Sequence, residues 1–197
     1  MNWLAHLFLS EPDIDFQLGN LLADLVRGDT RAAMSAGFQR GARCHHAIDA
    51  FTDAHPVVRR SRSRVRAEYR RFSGVLVDVF YDHCLATSWH AYSLIPLRDF
   101  TRAFYTAASA HASTLPQPAV LTLERIVRYD ALGSYVKIEG ISQALRGISR
   151  RLQRRWQRDF KLEGGVADFI EQRADFTADF AEFFPELRAH VRSLSLH

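Results

Sequence analysis

The chain has 197 residues, 47% of them hydrophobic, 24% charged and 12% aromatic, with a formal net charge of +4. That is the balance of a folded globular protein with a packed core, and it excludes disordered, collagenous and coiled-coil classes. Two cysteines, Cys44 and Cys84, are too few for a disulfide framework or a thiolate metal site and read as reduced intracellular thiols.

The opening Met1-Asn2-Trp3-Leu4-Ala5-His6-Leu7-Phe8-Leu9 lacks a basic flank, carries a histidine in its apolar run and soon meets Glu11, so it does not read as a signal peptide. No stretch reaches the roughly 18 apolar residues of a membrane span, and the expectation is a cytoplasmic protein with no membrane partner. Helical periodicity runs throughout, without the alternation that strands would show. The fold class expected is all-α, one helical domain over 1–197. Helices are expected at about 2–9, 15–27, 31–53, 57–71, 73–92, 97–113, 117–129, 134–145, 148–160 and 164–193. Pro12, Pro56, Pro96, Pro116 and Pro118 fall in the breaks, while Pro185 lies within the last helix and should kink or divide it. Phenylalanines 160, 169, 176, 180, 183 and 184 form a C-terminal packing stripe.

Chemistry concentrates in the first ninety residues. His45, Asp49 and Asp53 recur at i, i+4, i+8 and line one helical stripe, with His46 about 100° away. The segment Val75–Ala86 is apolar almost all round yet holds Asp78, Asp82 and His83. Two carboxylates on one buried face need a cation, a proton or an arginine to be tolerated, and structural Asp–Arg pairing is the alternative to metal here. Asn20 and Asp24 share a face of a further apolar helix, and His6 reads as a hydrogen-bonded core group. Imidazole with carboxylate and no thiolate suits Mn²⁺, Mg²⁺ or Fe²⁺. Such a centre activates water and neutralises a phosphoryl group, so the residues alone point to a metal-assisted phosphoester hydrolase.

Of the 26 basic residues all but Lys137 and Lys161 are arginine, crowded at 59–71 and 146–158. Neither run brings a helix-turn-helix signature or interleaved stacking aromatics, so no nucleic-acid partner is expected.

The set Met1–Leu7, Gly19-Asn20-Leu21-Leu22-Ala23-Asp24-Leu25-Val26-Arg27-Gly28, His45 to Asp49 with Phe51-Thr52-Asp53, and Asp78–Ala86 with Trp89 resembles the acyl carrier protein phosphodiesterase family over nearly the whole chain. That family is regarded as an atypical branch of the HD phosphohydrolases, which implies a distorted HD-like bundle. It further implies hydrolysis of the phosphodiester joining 4′-phosphopantetheine to the serine of holo-acyl carrier protein, with Mn²⁺ favoured. The HD signature places His directly before Asp; this chain has no such dipeptide and instead has Asp82-His83 in reverse. The expected metal ligands are Asp24, His45, Asp49 and Asp82, with His83 as acid/base or phosphate contact and Asp53 and Asp78 orienting the ligands. An HD-type hydrolase of a nucleotide or other small phosphodiester is the alternative. Arg59, Arg62 and Arg66, just beyond the metal helix, are the expected docking residues for an acidic carrier protein.

Overall fold

The computed structural model describes residues 1–194, and among them there is helix and no strand. The all-α class expected from the periodicity is the one observed. The order is α1 (Trp3–Phe8), α2 (Ile14–Leu22), α3 (Gly28–Ala32), α4 (Ala36–Ala54), α5 (Pro56–Arg64), α6 (Ser73–Thr87), α7 (Leu97–Ala110), α8 (Gln117–Arg128), α9 (Ala131–Ser134), α10 (Ile138–Trp156), α11 (Val166–Glu171) and α12 (Arg173–Leu194). None of these helices is long and apolar enough to cross a membrane.

Several boundaries differ from the sequence expectation for local reasons. The helix expected at 31–53 is two: α3 ends at Ala32, and Ser35 caps a fresh start by accepting the Phe38 N–H at 3.1 Å. The expected 57–71 helix stops at Arg64 and gives way to a 3₁₀ turn, Ala67–Phe72. The gap expected at 146–147 is absent, since α10 runs through it, and α12 is not divided at Pro185. The division instead falls at Gln172, between α11 and α12.

The closely packed pair α2 and α4 positions the candidate site, and two glycines set its spacing. A Cβ on Gly19 would sit 2.0 Å from the Phe38 carbonyl oxygen, and one on Gly41 would sit 2.0 Å from that of Phe16. Only bare backbone lets the helices approach so closely. Leu18, Leu21 and Leu22 of α2 and Phe38 and Ile48 of α4 are buried in the core. α6 supplies Leu76, Val77, Val79, Phe80, Tyr81 and Leu85 to that core, and α12 closes it with Phe176, Phe180, Phe183 and Phe184. Phe80 stands edge-on to Phe176, and Tyr81 to Phe180, at ring separations of 5.3 and 5.5 Å, so the aromatic stripe packs as its spacing implied.

α5 is fastened to α11 and α12 by charge. Arg60 reaches Asp179 and Glu182, Arg64 reaches Asp175 and Asp179, and Arg66, just beyond the helix, pairs with Asp168.

Candidate metal centre

α1 and α4 bring together His6, His45 and Asp49, each with one ligand atom within 4.8 Å of the others. His45 and Asp49 are one turn apart on α4, as their spacing required. His6 arrives from α1 and stacks on His45 with centroids 4.2 Å apart and planes at 20°. Both imidazoles are oriented by Asn20. His6 Nδ1 lies 2.9 Å from the Asn20 side-chain oxygen, and His45 Nδ1 lies 2.7 Å from the Asn20 backbone carbonyl. Each partner is an acceptor, so each Nδ1 carries the proton and each Nε2 presents a lone pair. The Asn20 amide in turn donates to the His6 carbonyl at 2.8 Å and to Ser10 Oγ at 2.9 Å, which fixes its own orientation.

The two Nε2 atoms converge on Asp49, 3.2 Å from Oδ1 for His6 and 3.1 Å from Oδ2 for His45. Both are buried and neither has a hydrogen bond. Lone pairs facing a carboxylate in a desolvated place require a positive charge between them. The electrostatics say the same. Burial works against charge on His45, but Asp24 and Asp49 outweigh it and raise its pKa to about 9. Burial also opposes ionisation of Asp49, yet His45 and His6 hold its carboxyl well below the usual range. His6, fully enclosed, is lowered by desolvation. A divalent cation meets the same demand as the proton on His45, and two locked imidazoles with a carboxylate are a donor set that fits one.

Asp24 stands beside this group, its Oδ2 3.8 Å from His45 Nε2, beyond the end of α2 and not on it. It is 68% exposed and paired with Arg27, and His45 lowers its pKa. With Asp49 also partly open, the centre faces solvent on its carboxylate side. Asp78 lies at the inner edge, where the α-amino group of Met1 is 3.1 Å from Asp78 and 3.5 Å from Asp49.

Other expected positions lie elsewhere. Asp82 is correctly read as buried beside this region, but it is not in the cluster of His6, His45 and Asp49: its oxygens accept the N–H groups of Leu4 and Ala5 at 2.8 and 3.1 Å, capping the first turn of α1. His83, one residue on, turns to the opposite side. It bonds the Tyr135 carbonyl through Nδ1 at 2.7 Å and meets the Phe169 ring edge-on, and it touches none of the triad. Asp53 ends the α4 stripe in an ion pair with Arg62. That pair, with Arg66 on Asp168, also corrects the reading of α5 as a free docking face: two of its three expected contacts are engaged within the chain, and only Arg59 stands exposed without an acidic partner among the described residues.

His6 is the ligand candidate the sequence reading missed. It is indeed a buried, hydrogen-bonded group, but a histidine has two ring nitrogens and the second is aimed at Asp49. The sequence signal was Asn20, a buried amide with no packing role of its own. His46, on the exposed face, contacts Arg31, as the helix geometry required. Cys44 and Cys84 are buried, with thiols pushed up to about 11 and about 12 by desolvation, which leaves them inert core groups.

Residues 1–187 match the family model described as acyl carrier protein phosphodiesterase. The chain belongs to the acyl carrier protein phosphodiesterase family. Among curated relatives so named, the protein of Photorhabdus laumondii is 32% identical over 188 residues, covering 94% of this chain and 92% of that one. The Yersinia enterocolitica protein is 34% identical over 98% of both chains, and that of Serratia proteamaculans 29% identical over the full length of both. No solved structure matches significantly. Membership in the family agrees with the sequence resemblance and makes the carboxylate–imidazole cluster the first place to look for its chemistry.

Proposed function

We propose that this protein hydrolyses the phosphodiester between 4′-phosphopantetheine and the serine of holo-acyl carrier protein, releasing apo-carrier protein and 4′-phosphopantetheine, with a divalent cation, Mn²⁺ first, held by His6, His45 and Asp49 and completed by Asp24. The observation that carries the reading is the pair of buried, unbonded Nε2 atoms converging on Asp49 in a family whose relatives are named acyl carrier protein phosphodiesterase. A divalent cation in this set supplies charge neutralisation at a phosphoryl group and acidification of water.

The chain's own residues set up the rest. Asn20 accepts from Nδ1 of both rings and so turns each Nε2 toward Asp49; a cation there takes the place of the proton that Asp24 and Asp49 favour on His45. Asp24, its pKa lowered by His45, lies on the side of the centre that is open to solvent. Hydrolysis adds water across the P–O bond: the hydroxyl goes to phosphorus, and the serine oxygen leaves with a proton. Asp78 sits behind Asp49 and fixes the charge balance of the inner edge.

The test is the intact mass of holo-carrier protein after incubation with enzyme and Mn²⁺. Loss of the whole phosphopantetheine group, abolished by EDTA and by Asp49→Ala, is the expected result. An unchanged carrier mass with turnover of a free nucleotide instead would replace this reading with a small-phosphodiester hydrolase.

A further inference from the structure

The charge of this chain is not spread evenly. Residues 117–158 hold nine basic and three acidic residues, a net of +6 against +4 for the whole chain, so everything outside α8–α10 is net acidic. Between α8 and α10 lies a concave groove of about 410 Å³, lined by Arg125, Arg146, Arg150, Arg151 and Arg154 and by no acidic residue. Only Arg146 has an acidic neighbour among the described residues, Glu163 at 3.7 Å. Arg125 spends its donors on the Leu121 carbonyl and the Thr122 hydroxyl. Desolvation and the neighbouring Arg125 both work against the charge on Arg151, which lies over the Trp3 ring at 5.9 Å. This contrasts with α5, where Arg60 and Arg64 are neutralised by carboxylates of α12 and Arg62 by Asp53 of α4.

Three features identify what fits the groove. Arg146, Arg150 and Arg154 recur every fourth residue, a ladder about 12 Å long with about 6 Å between rungs. That spacing matches carboxylates one turn apart on a second helix, whereas a single phosphate would be met by arginines converging on one point. Trp3 and Tyr129, the latter 68% exposed, line the groove and give an apolar contact beside the charged rungs. Asn2 and Trp3 also line it, one and two residues from the Met1 amino group that touches Asp49 and Asp78. A partner seated there lies beside the metal centre.

We propose that the groove between α8 and α10, and not the arginine run of α5, is where the carrier protein docks, through an acidic helical face, by the helix-in-groove mode. The inference rests on the carrier-protein reading above, and its test is read by binding as well as turnover. Arg150→Glu/Arg154→Glu and the milder Arg150→Gln/Arg154→Gln are compared with Arg59→Glu, each checked for retained helicity and melting temperature. Fluorescence anisotropy of labelled holo-carrier protein gives Kd, and release of phosphopantetheine gives KM and kcat, both from 20 to 500 mM salt.

For the glutamate pair the expected result is a rise of at least tenfold in Kd and KM at low salt, with a flattened salt dependence and kcat within twofold of wild type. The glutamine pair should fall between, and Arg59→Glu should remain within twofold. Unchanged Kd and KM in the α10 variants, or an equal loss in Arg59→Glu, overturns the docking site while leaving the reaction intact. Wild-type binding that is lost in the α10 variants, with no hydrolysis by any of them, leaves the docking site standing and removes the reaction. Displacement of carrier protein by duplex DNA at equal charge concentration overturns the proposal in favour of a nucleic-acid surface.

Discussion

Asn20→Ala isolates the feature that turns two histidines into a ligand pair. Asn20 is fully buried, and its side chain makes three close contacts, to His6 Nδ1 at 2.9 Å, the His6 carbonyl at 2.8 Å and Ser10 Oγ at 2.9 Å. Truncation leaves the His6 Nδ1–H without an acceptor in a dry place, at about 1–3 kcal/mol. The His6 carbonyl still accepts the Ser10 hydroxyl at 2.8 Å and is not orphaned. With the small void added, the loss of stability should be about 2–4 kcal/mol. His45 is bonded to the Asn20 backbone, which the substitution keeps, so one of the two rings loses its orientation and the other does not.

Loss of a group that orients a histidine ligand weakens metal binding about 10–100-fold. Calorimetric titration of the EDTA-treated protein with Mn²⁺ should therefore show a Kd raised by that factor in Asn20→Ala, with far-UV circular dichroism unchanged. Asn20→Asp keeps the acceptor oxygen for His6 and should recover part of the affinity. If Asn20→Ala and His6→Ala both bind Mn²⁺ within twofold of wild type while remaining folded, His6 is a core group only and the convergence on Asp49 carries no metal.

Asp49→Ala should lose all detectable phosphopantetheine release while keeping its helix content, since removing the carboxylate leaves both Nε2 atoms without a counter-charge; retention of wild-type turnover would strike Asp49 from the set. Gly41→Ala forces a methyl to within 2.0 Å of the Phe16 carbonyl and should cost about 3 kcal/mol or prevent folding, read by urea denaturation; a variant within 0.5 kcal/mol of wild type would mean α2 and α4 are free to separate. Asp82 gives a pH signature: burial pushes its carboxyl up to about 7 against the pull of the Leu4 and Ala5 amides, whereas in the unfolded chain it titrates near about 4. The folded protein then holds the extra proton between these values, so the Asp82 contribution to stability declines as pH rises from about 4 to about 7. Wild type should gain stability relative to Asp82→Asn between pH 8 and pH 5; a pH-independent difference would mean the α1 amides keep the carboxylate ionised throughout.

The α4 stripe was legible in the sequence because a helix needs only spacing to place His45 and Asp49 together, and the aromatic stripe of α12 for the same reason. What spacing could not show is which atom of a buried group is already spent. Asp82 read as a metal ligand and Asp78, one turn away in the same apolar helix, as a residue orienting the ligands, yet both oxygens of Asp82 accept amides of the first turn of α1 while Asp78 shares the Met1 amino group with Asp49. His6 looked like a satisfied core residue because one bond to Asn20 was a sufficient reason for it, and only the path of α1 over α4 discloses the second nitrogen. The arginine run read as a free face because the acidic partners of Arg60, Arg64 and Arg66, namely Asp168, Asp175, Asp179 and Glu182, lie more than a hundred residues away in sequence; the partner of Arg62, Asp53, is only nine residues off but was read as a site residue.

Asp82 thus acts on the centre without being part of it. By accepting the Leu4 and Ala5 amides it fixes the start of α1, and α1 carries three consequences at once: His6 faces Asp49, Asn2 reaches the Tyr135 hydroxyl at 2.7 Å, and Trp3 lines the basic groove. The buried carboxylate couples the place where a phosphodiester would be cleaved to the place where its carrier would sit, through six residues of helix. A short helix of this length has no intrinsic stability to hold such a geometry, so the cap from α6 and the packing of Leu4 and Leu7 in the core must supply it.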